Sequence, residues 1–146
     1  MQKVVINKRF GGFGISPEAL YELIKMKSKC VKKTPVKKYY GGKDGDWQAR
    51  YKKDIETRCH KFKDGFLIYD MLGVLYKNDY AYHLMYQYEK IFRTNSDLIA
   101  VVEQMKEKAN GCGAKLKVVK IPNGVDFTIE EYNGREHVAE EHRTWE

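Results

Sequence analysis

Four histidines, three cysteines and one glycine-dense turn are the residues whose types could carry chemistry in this chain. His137 and His142 flank Val138-Ala139-Glu140-Glu141, a pattern that superficially looks like a zinc-protease helix. Such a helix needs its histidines four residues apart. At five, a rotation of about 100° per residue carries the second ligand off the first one's face. His142-Arg143-Thr144 is a single His-x-Thr, and a two-histidine phosphoesterase needs two, one imidazole as base and the other to protonate the leaving group. His60, His83 and His137 are followed by Lys61-Phe62, Leu84-Met85 and Val138-Ala139, so none supplies the second. Cys30, Cys59 and Cys112 are odd in number, widely spaced and form no Cys-x-x-Cys pair, which argues for reduced thiols over a disulfide framework or a zinc knuckle. There is no Gly-x-Ser-x-Gly elbow and no cysteine in an activating context. A binding protein with no metal and no cofactor is expected, rather than an enzyme.

Phe10-Gly11-Gly12-Phe13-Gly14 follows an apolar run and precedes a helix start, the context of a phosphate loop. It matches neither the P-loop pattern nor Gly-x-Gly-x-x-Gly. It is therefore either a compact turn or an anion site at the N-terminus of the helix that starts near Ser16. Basic residues stand beside aromatics at Arg9-Phe10, Lys38-Tyr39-Tyr40, Trp47 with Arg50-Tyr51, and Phe92-Arg93. Such pairs suit phosphates and stacked bases, although each pair taken singly also fits a cation lying over a core aromatic.

The elements that must position these groups can be read from the chain. At 146 residues it fits one domain, expected to span 1–146, and its 42% hydrophobic and 13% aromatic content supports a real core. No run approaches the ~20 apolar residues of a membrane span, and Met1 to Lys8 lacks a signal-peptide core, so a cytosolic protein is expected. The net charge of +7 is uneven: residues 28–63 hold 12 Lys/Arg against 4 Asp/Glu, while residues 94–146 hold 7 against 10. That asymmetry suggests an anionic partner, or a solvated basic loop.

Lys3 to Asn7 reads as a buried strand, and Ser16-Pro17-Glu18 as an N-cap, first helical proline and first-turn acid. Leu20, Leu23 and Ile24 then line one helix face, and the helix should end near Ser28. Residues 28–65, with Pro35, Gly41-Gly42 and Asp44-Gly45, read as a basic, loop-rich insertion that contributes little core. Tyr80, Tyr82, Leu84, Tyr86 and Tyr88 alternate, which favours a strand, while the residues between them leave a helix open. Thr94-Asn95-Ser96 caps a second helix with an apolar stripe of Leu98, Val101, Val102 and Met105, stopped by Asn110-Gly111. Lys115–Ile121 and Phe127–Tyr132 are expected to pair as a hairpin across Pro122-Asn123-Gly124, with Asn133-Gly134 turning the chain into a short acidic tail. The fold class is α+β: a small, mostly antiparallel sheet, two main helices and a basic insertion.

Val4-Val5-Ile6-Asn7-Lys8-Arg9-Phe10-Gly11-Gly12-Phe13-Gly14-Ile15-Ser16 and Glu136-His137-Val138-Ala139-Glu140-Glu141-His142-Arg143-Thr144-Trp145 together resemble a group of small phage and prophage proteins. Arg93-Thr94-Asn95-Ser96-Asp97-Leu98 and Ala109-Asn110-Gly111 fit the same pattern. The resemblance covers residues 3–27 and 90–146, whereas 28–89 departs from it. The group is similar to the Thoeris anti-defence sponges, phage proteins that sequester cyclic nucleotide signals of bacterial immunity, including cyclic ADP-ribose isomers, without cleaving them. The resemblance implies a protein of the host cytoplasm, a dimer or higher homo-oligomer with ligand pockets at subunit junctions. It further implies a site made of Arg9, Phe10, Arg93, Asn110, His142 and Arg143, in which Arg93, Arg143 or both meet phosphate. The alternative is a phage protein that binds nucleic acid or a host protein through the basic insertion.

Overall fold

The computed structural model describes residues 1–35, 62–63, 66–70 and 85–141. Three helices and seven antiparallel strands make up these residues, so the fold is α+β. In chain order they are β1 (Gln2–Asn7), α1 (Pro17–Lys25), β2 (Val31–Pro35), β3 (Phe62–Lys63), β4 (Phe66–Asp70), α2 (Met85–Arg93) and α3 (Ser96–Met105), followed by a 3-10 turn (Lys106–Ala109), β5 (Leu116–Ile121), β6 (Phe127–Tyr132) and β7 (Arg135–Glu140). Their ladders are β1-β5, β2-β4-β3 and β6-β7.

Strand β1 is the axis. Its side chains alternate between faces with a period of two, and both faces are covered. Val5 joins Ala19, Leu20 and Leu23 of α1 and Leu98, Val101 and Val102 of α3 in the main core. Val4 and Ile6 point the other way and meet Phe127, with Ile129 and Val138 of the β6-β7 hairpin packed around them. The molecule is thus layered as helices, then the β1-β5 pair, then the hairpin. Strand β5 pairs with β1, Val4 opposite Val119 and Val5 opposite Val118, not with β6 as the short turn between them suggests. Gln2 explains part of this: its side-chain amide donates to Pro122 O and Val125 O, holding the 122–125 segment beside the start of β1. Strand β6 pairs instead with β7, so the expected acidic tail is a strand as far as Glu140.

The helix ends follow local rules. Ser16 Oγ accepts from Ala19 N at 3.1 Å, and Pro17 occupies the first helical position. At the other end Ser28 N donates to Leu23 O and Lys27 N to Ile24 O, a Schellman closure with Lys27 at φ 54°. Asn95 caps α3 by accepting from Asp97 N and Leu98 N.

Two expectations are corrected. Tyr86 and Tyr88 are helical, within α2, rather than on a strand: burial of Phe92 and Arg93 near its C-terminus selects the helical period. Residues 28–35 are framework, not insertion: Cys30 and Val31 are core residues, and β2 pairs with β4 along its whole length. Most of the remainder of the basic segment lies outside the described residues.

The helices are tied to β1 by Arg93. Its side chain is buried, as is that of Glu136 on β7, and the two make a bidentate pair: Nη1 to Oε2 at 2.7 Å and Nη2 to Oε1 at 2.8 Å. Nη2 also donates to Glu89 Oε1, and Nη1 to Val5 O at 3.1 Å. Glu136 Oε2 accepts in turn from Asn7 N at 3.0 Å. The guanidinium carbon lies 3.4 Å from the Phe13 ring centroid, and Phe13 packs edge-on against Phe92.

Two outcomes follow for stability. Removing one partner of a buried ion pair leaves the other charge desolvated, so Arg93→Ala or Glu136→Ala should cost about 3–5 kcal/mol in urea unfolding. Lys27 is exposed and left-handed, so Lys27→Gly should raise stability by about 1 kcal/mol in the same measurement.

Candidate functional site

The end of the molecule where β1 runs into the glycine turn gathers chain segments more than 100 residues apart in sequence. Asn7 does the gathering, and it is wholly buried. Its Nδ2 donates to Arg9 O and to Gly134 O, both at 2.7 Å. Its Oδ1 accepts from Lys115 N at 2.9 Å and from Arg9 N at 3.2 Å. A carboxamide has two donor hydrogens and two acceptor lone pairs, and all four are used. The turn after β1, the turn of the β6-β7 hairpin and the approach to β5 are thereby held in one place.

The backbones then close on each other. Gly11 N donates to Asn133 O at 3.3 Å. Asn133 and Gly134 both have positive φ, 50° and 87°, as a two-residue hairpin turn of the primed type requires. Gly134 is needed for a second reason: a Cβ there would lie 2.3 Å from Gly12 N and 2.7 Å from Gly11 N. The glycine-rich stretch is therefore a seam between two turns. It does not open a phosphate cradle at α1 either, because the buried Ser16 side chain already caps that helix and Ser16 N is bound to Ala109 O.

What this seam presents outward is basic and aromatic. Arg9 and Arg135 are exposed, Phe10 is 57% exposed and Tyr132 is 74% exposed. Tyr132 and Arg135 are direct cross-strand partners flanking the turn, so their side chains share the outer face of the hairpin. Lys8 and Lys115 join the same end through the bond from Lys8 N to Lys115 O at 2.8 Å. Among the described residues no carboxylate forms an ion pair with Lys8, Arg9, Lys115 or Arg135, and the nearby Glu131 accepts from Gly134 N instead. Four cations and two aromatic faces on rigid turns can grip phosphate oxygens and stack on planar rings.

Of the sequence-derived candidates, Arg9 and Phe10 stand in this site. Arg93 does not: at 1% exposure it cannot meet a ligand, and four of its five N–H groups are directed to Glu136, Glu89 and Val5 O. Asn110 is a link in the fold, bridged to Ile15, with its Oδ1 accepting from Leu116 N at 2.8 Å. His142 and Arg143 lie outside the described residues. Glu141, which precedes them, donates its N–H to Asp126 O at the far end of the hairpin, six residues beyond Arg135 or about 20 Å from the turn for an extended strand. Tyr132 and Arg135 were missed. The signal was present, since Asn133-Gly134 marks a two-residue turn whose flanking residues must pair. Nothing local, however, says that this turn abuts Gly11-Gly12.

Among the described residues no group of three His, Cys, Asp or Glu side chains could hold a metal, and no helix is long and apolar enough to cross a membrane. His137 is exposed and paired with Glu130 at 2.8 Å. No protein-family model matches the chain, nor does any curated protein or any solved structure.

Because the seam needs glycine for both space and φ, Gly134→Ala should lower stability by at least about 2 kcal/mol. Thermal and urea unfolding of that variant, with Asn133→Ala for comparison, would check it.

Proposed function

We propose that the protein is a phage immune-evasion protein of the host cytoplasm that binds and sequesters a cyclic nucleotide, a cyclic ADP-ribose isomer or a cyclic oligonucleotide, without cleaving it. The observation that carries this is the convergence of Arg9, Phe10, Tyr132 and Arg135 at one basic end of the molecule. A cyclic nucleotide offers phosphates and a planar base, the two groups such a set of side chains recognises. The site is an exposed half, so a second copy of the chain would complete it, in keeping with the homo-oligomer that the sequence resemblance implies.

The site's position on turns rather than in a cavity favours a second class of ligand, single-stranded nucleic acid. Salt separates the two. A strand contacting several phosphates loses affinity steeply with salt, with a slope near −0.7 per phosphate, whereas one small dinucleotide depends on salt far less.

The deciding experiment incubates the purified protein with a panel of cyclic nucleotides, denatures it and identifies the released ligand by mass spectrometry. Intact release is expected, and a chemically altered product would make the protein an enzyme. Arg9→Ala and Arg135→Ala should each weaken binding about ten- to a hundredfold by calorimetry with the melting temperature nearly unchanged. Light scattering should report a multiple of the 17.1 kDa chain mass. Wild-type affinity in both arginine variants would place the ligand elsewhere.

A further inference from the structure

A second feature shares no residue with the glycine seam and has a different charge character. Helix α1 presents Glu18, Tyr21, Glu22 and Lys25 at i, i+3, i+4 and i+7, one face of the helix, with Ile24 beside them. Opposite stands the β2-β4 sheet. Lys33 is the register partner of Ile68, and Phe66 lies two residues from Ile68, so all three side chains share one sheet face. Near Val31 and Ile68 that face is packed into the core. Beyond them the helix and the sheet diverge and leave an open cleft of about 550 Å³, lined by these eight residues. That is within the roughly 300–1,000 Å³ of small-molecule sites.

The polar groups around this apolar floor are unequally neutralised. Lys25 Nζ is 2.5 Å from Glu22 Oε1, so those two charges cancel. Lys33 Nζ sits 4.8 Å from the centre of the Phe66 ring and forms no ion pair among the described residues. The ring therefore holds an ammonium directly over the apolar floor, where a cation and a flat hydrophobic surface are offered together. Glu18 on the facing helix forms no ion pair among the described residues, so the cleft offers one un-neutralised cation, Lys33, and one un-neutralised acid.

The geometry points to a second binding site in this cleft, for a small organic monoanion with a flat apolar body, such as an aromatic carboxylate or sulfonate. The ring would lie on Ile24 and against the edge of the Phe66 ring, whose face Lys33 covers, and the anionic group would meet Lys33. One cation beside one un-neutralised acid suits a single negative charge better than a polyphosphate, so the two sites should not compete.

The probe is 8-anilinonaphthalene-1-sulfonate, followed by fluorescence titration of the full chain, with indole-3-acetate as a competitor. Saturable binding of one probe per chain is expected. Lys33→Ala should weaken it about tenfold and Lys33→Glu further, while Lys33→Arg restores it. Ile24→Glu, which adds a third acid to the wall, should also reduce binding by at least tenfold. Each variant's unfolding midpoint is measured alongside, so that probe taken up by a loosened core is recognised. Arg9→Ala/Arg135→Ala should leave the titration unchanged, which keeps this result independent of the nucleotide site. Absence of saturable binding to the wild type would overturn the proposal. So would equal affinity in Lys33→Ala and Ile24→Glu, or loss of binding in the Arg9/Arg135 variant.

Discussion

The ion pair between Arg93 and Glu136 completes a strand edge. With a period of two, β1 directs Lys8 N toward β5 and leaves the polar groups of Val5 and Asn7 on its other side. There the Val5 carbonyl accepts from Arg93 and the Asn7 N–H donates to Glu136. A guanidinium and a carboxylate stand where the N–H and C=O of a neighbouring strand would stand. Buried backbone groups without partners are costly, and a buried charge without one is costlier still. Each half of this arrangement therefore needs the other: the backbone groups help solvate the charges, and the charges satisfy the backbone. Four of the guanidinium's five N–H groups are used, and Nε is the one buried side-chain polar atom without a partner among the described residues.

The rest of the fold hangs from this point. Arg93 comes from α2, Glu136 from β7 and the acceptor carbonyl from β1, while Phe13 of the glycine turn covers the guanidinium face. Helix α2 also places Lys90 over the Phe127 ring at 4.7 Å, a second tether to the hairpin. By contrast the ion pair of Lys3 with Glu103 is partly exposed, and pairs of that kind contribute little. With the hairpin fixed against β1, its turn arrives at Gly11 and Gly12, and the carboxamide of Asn7 locks both turns. The exposed side chains of the seam are therefore carried on backbone that has few ways to move. Preorganisation of that kind reduces the entropy lost when a ligand orders its contacts.

Charge divides the surface into two kinds of site. At the glycine seam Arg9, Arg135, Lys8 and Lys115 lie together; of the adjacent acids Glu136 is buried with Arg93, Glu131 accepts from backbone, and the exposed Glu130 is paired with His137. In the α1 cleft acids and bases alternate along one helix face and largely neutralise each other. The first arrangement suits groups of high negative charge, and the second suits weakly charged, flatter molecules.

Much of the local structure was legible in the residues. Ser16-Pro17, Asn95 and Asn133-Gly134 specify two helix starts and a turn because each acts on backbone within a few positions of itself. The apolar stripe of α3 and the β-branched run of β1 are equally local, since period alone shows them. What the sequence determined by itself was thus the α+β class, two of the three helices, strands β1, β5 and β6, and the chemical character of Arg9 and Phe10. Strand partnership was decided elsewhere. Strand β5 follows β1 by more than 100 residues, and the pairing Val4 with Val119 wins because it buries apolar side chains on both faces of β1 at once. Arg93 shows the same limit most sharply. A guanidinium has one chemistry, and it meets phosphate or carboxylate equally well. Only the tertiary structure, by bringing Glu136 and the open edge of β1 to it, decided that Arg93 would hold the fold together while Arg9 and Arg135 were left facing solvent.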